Sequence, residues 1–180
     1  MMSLGCVTGR FQPVHGQHLA LLELALADCG HVVVAVTNPD SRARRPEAAS
    51  AHRHTPGANP FTYFERALLL QAALAEWGHA GETTVVPFDL TRPELWPEYV
   101  PVTARQFVRA YGDWEREKAR RLTLGGYSVT LLDGDPAGRL SSSDIRAHMW
   151  SGDEWQALVP AATVPLLRQL LDDVPIRERG

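Results

Sequence analysis

The sequence predicts a single α/β domain spanning residues 1–180, built as a doubly wound parallel sheet of about five strands with helices on both faces. Three observations carry this expectation. Short β-branched apolar runs alternate with stretches whose apolar residues recur at helical spacing. The strand–helix–strand succession from Leu4 to Thr37 has the form of a parallel βαβ unit with a right-handed crossover. A chain of 180 residues that is 44% hydrophobic suits one domain with a substantial core.

The elements follow in order. Leu4 to Thr8 is an apolar run ending at Gly9, which reads as a strand. Gln17 to Leu26 carries Leu19, Leu22 and Leu26 at helical spacing, and Cys29-Gly30 stops it. His31 to Thr37 is continuous and β-branched, as a strand buried on both faces requires. Asn38 to Pro60 is too long and polar for an ordinary connector, and loops of that kind are usually functional lids or disordered. Phe61 to Trp77 is a helix, Thr83 to Phe88 a strand, and Pro93 to Tyr99 a short helix with proline in its first turn. Gln106 to Ala110 is a strand, Trp114 to Leu124 a charged helix stopped by Gly125-Gly126, and Tyr127 to Leu132 the fifth strand. Helices over Ser143–Trp150 and Ala162–Leu171 complete the chain. In such a sheet, ligands bind at the carboxyl ends of the strands, near the point where the strand order reverses.

Composition narrows the function classes. A net charge of -3 gives no global attraction to nucleic acid or membrane. No stretch has the ~18 apolar residues of a membrane span, and the N-terminus lacks the basic start and apolar core of a signal peptide. Cys6 and Cys29 sit in apolar segments without metal-ligand spacing. Buried free thiols in the reducing cytoplasm are therefore expected. A homo-oligomer is compatible with the sequence, which does not fix the oligomeric state. Of the 18 basic residues, 17 are Arg and only Lys118 is Lys, a bias that suits a GC-rich genome.

Two strings carry chemistry. Gly9-Arg10-Phe11-Gln12-Pro13-Val14-His15-Gly16-Gln17-His18 ends the first strand and opens the first helix. It sets two imidazoles three residues apart on a helix N-terminus, whose free N–H groups favour anions, with the Arg10 guanidinium nearby. Two histidines alone would make an ordinary helix start; the whole string at that place points to a phosphate site. Arg139-Leu140-Ser141-Ser142-Ser143-Asp144-Ile145-Arg146 forms a second candidate cradle, with Ser143 expected as N-cap, Asp144 in the first turn and Arg146 adding charge. A plainly capped helix is the alternative.

The first string resembles the GRFxPxHxGH signature of the HxGH nucleotidylyltransferases, and most of all the archaeal-type nicotinamide mononucleotide (NMN) adenylyltransferases. Ser141 to Arg146 resembles their I-S-x-T-x-[IV]-R motif. Asn59-Pro60-Phe61-Thr62-Tyr63-Phe64-Glu65-Arg66 resembles their N-P-F-T-x-x-E-R. Pro87 to Trp96 resembles their segment bearing an aromatic residue that stacks on nicotinamide, with a core role as the alternative for Trp96. The resemblance implies a Rossmann-like sheet and in-line attack of an acceptor oxygen on the α-phosphorus of a nucleoside triphosphate. Pyrophosphate leaves, and Mg²⁺ rides on the phosphates without protein ligands. It assigns catalysis to His15, His18 and Arg146. Nucleotide and phosphate binding fall to Gly9, Arg10, Phe11, Gln12, Ser141, Ser142 and Ser143. The acceptor side falls to Arg44, Arg45, Asn59, Thr62 and Trp96.

The departures from that pattern bear on substrate. Gln17 stands where the motif has Gly. Ala58 stands where relatives carry Arg, and the loop before it is longer, with Arg42, Arg44, Arg45 and Arg53. Tyr111 to Lys118 replaces a Gly-Asn-Pro turn close to the nucleotide. An arginine-rich loop suits a small, multiply charged acceptor. These features favour a resemblance to the phosphonoformate cytidylyltransferases, which use CTP, over NMN adenylyltransferases making NAD from ATP. A nucleotide-binding sensor without catalysis is the alternative of another class. The loop over residues 39–58 is expected to be mobile without ligand and to close over the acceptor through Arg44 and Arg45. His52 and His54 read as lid or solvated residues, and the helix from Asp113 to Arg121 as a solvated face.

Overall fold

The computed structural model describes residues 3–48 and 52–173. Five parallel strands form one sheet: β1 (Leu4–Gly9), β2 (His31–Thr37), β3 (Thr83–Phe88), β4 (Arg105–Ala110) and β5 (Val129–Asp133), in the order β3-β2-β1-β4-β5. The order reverses beside β1, so the crevice between β1 and β4 is the expected ligand position. The connecting helices are α1 (Gly16–Asp28), α2 (Tyr63–Glu76), α3 (Trp96–Tyr99), α4 (Asp113–Leu124), α5 (Ser142–Ser151) and α6 (Val164–Asp173).

Both sheet faces are covered, and the alternation along β2 accounts for it. Val32, Val34 and Val36 enter one core with Val7, Phe107, Leu22, Leu69, Ile145 and Leu167; Val33 and Ala35 enter the other with Cys6, Phe88, Val108 and Leu122. Successive side chains of a strand point to opposite faces, so a strand between two helical layers must be apolar throughout. Both cysteines are free and buried.

The element edges differ from the sequence reading where side chains intervene. Helix α2 begins at Tyr63, because Thr62 caps it and the Phe61 N–H is taken by the Gln12 side chain at 3.0 Å. Strand β5 begins at Val129, because the Tyr127 ring is in the core with its hydroxyl donating to the Val100 carbonyl at 2.8 Å. Helix α5 begins one residue earlier than expected, and its N-cap is Ser141 rather than Ser143. The Ser141 hydroxyl accepts from the Asp144 N–H at 3.2 Å and Asp144 reaches back to the Ser141 N–H at 2.9 Å, a reciprocal cap that Ser143 has no residue placed to complete.

Candidate active site

A cleft of about 740 Å³ opens at the carboxyl ends of β1 and β4, where the strand order reverses. Its walls come from the turn after β1, the first turns of α1 and α5, the loop after β2, and α4.

The turn after β1 is fixed from below. Phe11 adopts φ 51°, a left-handed conformation costly for a bulky side chain, and is 1% exposed. Its ring lies against Gly9 so closely that a Cβ there would come within 2.9 Å of it. The Gln12 side chain donates to the Phe61 carbonyl at 2.9 Å and accepts from the Phe61 N–H, lashing the turn to the segment ahead of α2. Arg66, fully buried on α2, donates to the carbonyls of Thr62, Arg10, Thr37 and Asn38 at 2.7–3.2 Å. The Arg10, Thr37 and Asn38 carbonyls lie at strand ends, where ladder partners run out, and one guanidinium satisfies them, while the Thr62 carbonyl at the α2 cap also accepts from the Arg66 N–H at 3.1 Å.

The turn delivers two imidazoles to the first turn of α1. His15 and His18 lie with ring centroids 3.8 Å apart, and the edge of Phe11 meets His18 at 4.8 Å. The His15 N–H donates to His18 Nδ1 at 3.3 Å, so the His18 proton sits on Nε2. His15 Nδ1 is buried without a partner, as is Arg10 Nε. Burial, with Arg139 adding to it and Asp144 opposing, pulls His15 down to about 4. Burial, then His15, Lys118 and Arg10, holds His18 well below the usual histidine range. Both rings are therefore neutral hydrogen-bond donors at neutral pH. An anion at this helix N-terminus would satisfy the unpaired atoms and draw the rings toward protonation. Burial and the neighbouring Arg53, Arg146, Arg66 and Arg139 bring Arg10 down to about 9, which leaves it charged at neutral pH.

The second wall is cross-braced to the first. The Ser142 hydroxyl donates to the Pro13 carbonyl at 2.9 Å, and Arg146 donates to the Gln12 carbonyl at 2.7 Å and the Ser143 hydroxyl at 3.1 Å. Gln17 adds three bonds. Its Nε2 donates to the Gly138 carbonyl at 2.7 Å, and its Oε1 accepts from the Leu140 N–H at 3.0 Å and the Tyr111 hydroxyl at 3.2 Å. The residue that stands in place of the motif glycine thus ties α1 to the loop that carries Ser141.

The third wall joins the β2 loop to α4. Glu115 Oε1 meets Arg139 at 3.1 Å and Arg53 at 3.6 Å, while Oε2 accepts from the Gly112 N–H at 3.1 Å. Arg53 also lies 4.8 Å above the Trp114 ring. The loop backbone is held from behind: the Arg53 carbonyl accepts from Asn59 at 2.7 Å and Asn38 at 3.2 Å, and Arg10 donates to the Ala58 carbonyl at 3.0 Å. Arg121 pairs with Glu47 at 3.1 Å.

Several expected residues meet in the cleft: Gly9, Arg10, Phe11, His15, His18, Ser141, Ser142 and Ser143. Others do not face it. Arg146 is 5% exposed with its guanidinium turned to the β1 turn, where it braces α5. Trp96 is 3% exposed in the core between Phe88 and Tyr127, its indole N–H bonded to the Asp89 carbonyl, so it is not placed to stack on a substrate. Asn59 braces the loop and Thr62 caps α2. Among the loop arginines, Arg53 lines the main cleft; Arg45 lines a smaller adjoining cavity with Arg10 and Asn38, and Arg44 lines neither. Residues 49–51 of the loop lie outside the described residues. The sequence motifs included Arg139, Glu115 and Lys118 without giving any of them a role of its own and left out Arg109; all four line the cleft. The helix taken for a solvated face buries Glu115 and turns Lys118 inward. The signal available was the one lysine among seventeen arginines.

Residues 6–148 match the family model described as cytidylyltransferase-like. Over 174 residues the chain is 34% identical to the phosphonoformate cytidylyltransferase of Streptomyces viridochromogenes, covering 96% of this chain and 95% of the relative. Over 170 residues it is 28% identical to the nicotinamide-nucleotide adenylyltransferase of Pyrococcus horikoshii, covering 94% and 84%. A crystal structure of a bifunctional NMN adenylyltransferase/ADP ribose pyrophosphatase from Francisella tularensis superposes with a TM-score of 0.66 at 14% identity. That match covers 97% of this chain and 52% of the other, so the chain corresponds to about half of it and shares its fold. Among the described residues, no helix is long and apolar enough to cross a membrane.

Proposed function

The chain belongs to the cytidylyltransferase-like family, whose matched relatives are nucleotidylyltransferases, and we propose that it transfers CMP from CTP to a small phosphonate, phosphonoformate being the acceptor best suited. The carrying observation is the convergence of two helix N-termini, two neutral imidazoles and the arginines 10, 53 and 139 on one cleft at the switch point. The acceptor oxyanion forms a bond to the α-phosphorus as the bond from that phosphorus to the bridging oxygen breaks, and pyrophosphate leaves with the electron pair. An acceptor that is already an anion needs no general base, so catalysis is positioning and electrostatics. His15 and His18 donate to phosphoryl oxygens as charge develops there. Ser141, Ser143 and Arg139 hold the β- and γ-phosphates at the N-terminus of α5, and Arg10 and Arg53 face the acceptor.

A divalent ion, Mg²⁺ in this reading, fits as a passenger on the triphosphate and would neutralise phosphate charge there. Among the described residues no group of three or more His, Cys, Asp or Glu forms a metal site, and Glu115 and Asp144 are committed to Arg53, Arg139 and the α5 cap. Substrates of this kind place the reaction in the cytoplasm.

The test is a panel of the four nucleoside triphosphates against phosphonoformate, other small phosphonates and NMN, read by pyrophosphate release. CTP with phosphonoformate should give the highest kcat/KM. A preference for ATP with NMN would overturn the acceptor and nucleotide assignment and leave nucleotidyl transfer standing.

A further inference from the structure

Seventeen of the eighteen basic residues are arginine, a bias that reaches every basic position but one. The exception, Lys118, reaches inward from α4 to the end of β1, where its Nζ donates to the Thr8 carbonyl at 3.0 Å and the side chain lines the cleft. Among the described residues no carboxylate lies within ion-pair distance of it. Glu115, one turn earlier on α4, spends its oxygens on Arg53, Arg139 and the Gly112 N–H. The other charged or titratable groups bearing on it are Arg53 of the β2 loop, Cys6 of β1 and His18 of α1. Burial and Arg53, opposed by Glu115 and Cys6, bring the amine down to about 8. An ammonium held in a cleft without a counter-charge is costly unless a bound anion supplies one.

We propose that Lys118 contacts the reacting phosphate, its ammonium donating to a non-bridging oxygen of the α-phosphoryl group opposite His18. The Thr8 carbonyl takes one of three N–H groups and leaves two for this purpose. A compact ammonium fits beneath the phosphate, where a planar guanidinium anchored to a backbone carbonyl would project too far. No proton is transferred. The inference rests on the nucleotidyl-transfer reading for its place in the reaction, but not for its test.

With only one lysine in the chain, protein labelled with ¹³C/¹⁵N-lysine gives a single side-chain signal. CTP and CMP, both of which carry the α-phosphoryl group, each added to saturation without acceptor, should shift that signal and raise its titration midpoint from near pH 8 by at least one pH unit. No shift in either the signal or its midpoint would overturn the proposal, whichever acceptor the enzyme uses. In turnover, Lys118→Met should lower kcat by at least 30-fold and raise CTP KM about 10-fold, the change that a one-unit rise of the lysine midpoint on CTP binding requires. In wild type kcat/KM should fall above about pH 8, and in Lys118→Arg this fall should move up toward pH 9, where Arg10 titrates. Near-normal kcat in the folded Met variant, or an unchanged alkaline fall in the Arg variant, refutes the contact. A shifted lysine signal without turnover of any acceptor would leave the contact standing and refute the acceptor assignment instead.

Discussion

Replacing Arg53 by Ala should raise the acceptor KM sharply while leaving the β2 loop in place. The loop is anchored through the Arg53 carbonyl, which accepts from Asn38 and Asn59, and that carbonyl survives the substitution. Glu115 is not orphaned either, because Arg139 at 3.1 Å and the Gly112 N–H at 3.1 Å remain. What disappears is one guanidinium facing the cleft, stacked 4.8 Å above Trp114. A charge-assisted hydrogen bond contributes about 1.5–3 kcal/mol, which converts to a rise of about 10- to 150-fold in acceptor KM. Steady-state kinetics with acceptor varied at saturating CTP, and the reverse, reads both constants. CTP KM should move less than 3-fold, since the triphosphate is assigned to the α5 side. The double variant Arg44→Ala/Arg45→Ala is the comparison. Neither side chain lines the main cleft, so its acceptor KM should rise only a few-fold. An unchanged acceptor KM for Arg53→Ala, together with a large rise for the double variant, would refute this assignment and restore the one drawn from the sequence.

Four further outcomes are expected. His18→Ala should lower kcat by about 10²–10³ with a modest change in CTP affinity, because its contact strengthens as charge develops; near-normal kcat in steady-state assays would exclude that role. Stability followed by urea denaturation should be full above about pH 6.5 and decline toward pH 4. The unfolded chain protonates His15 and His18 in that window while the folded one, with His15 at about 4, does not. The His15 contribution is at most about 3 kcal/mol, and His15→Gln should flatten the decline. Arg66→Met should cost at least about 3 kcal/mol in the same measurement, since the strand-end carbonyls of Arg10, Thr37 and Asn38 lose this donor; a loss under 1 kcal/mol would show that the bonds are replaceable. Gln17→Gly removes three hydrogen bonds between α1, Tyr111 and the loop before α5, and should cost about 1–3 kcal/mol in thermal unfolding while slowing turnover of every nucleotide.

The sequence by itself determined the sheet and the heart of the cleft. Val32 to Val36 could only be a strand covered on both faces, because both of its alternating side-chain sets are apolar. His15 and His18 could only lie together at the start of a helix, because their spacing is that of one turn. Local period and local backbone geometry suffice for both. Tertiary structure decided the roles of the long polar side chains. Trp96 reads equally as a stacking ring or a core ring until Phe88, Tyr127 and Gly125 close around it. Arg146 reads as a phosphate ligand until the Gln12 carbonyl is found beside it, and Arg66 as an ordinary helix residue until three strand-end carbonyls converge on it. Lys118 reads as solvated until the end of β1 lies beneath it. A guanidinium or ammonium on a flexible stem goes where unpaired carbonyls and carboxylates stand, and those positions are created by strands and loops distant in sequence, so no spacing along one segment encodes them.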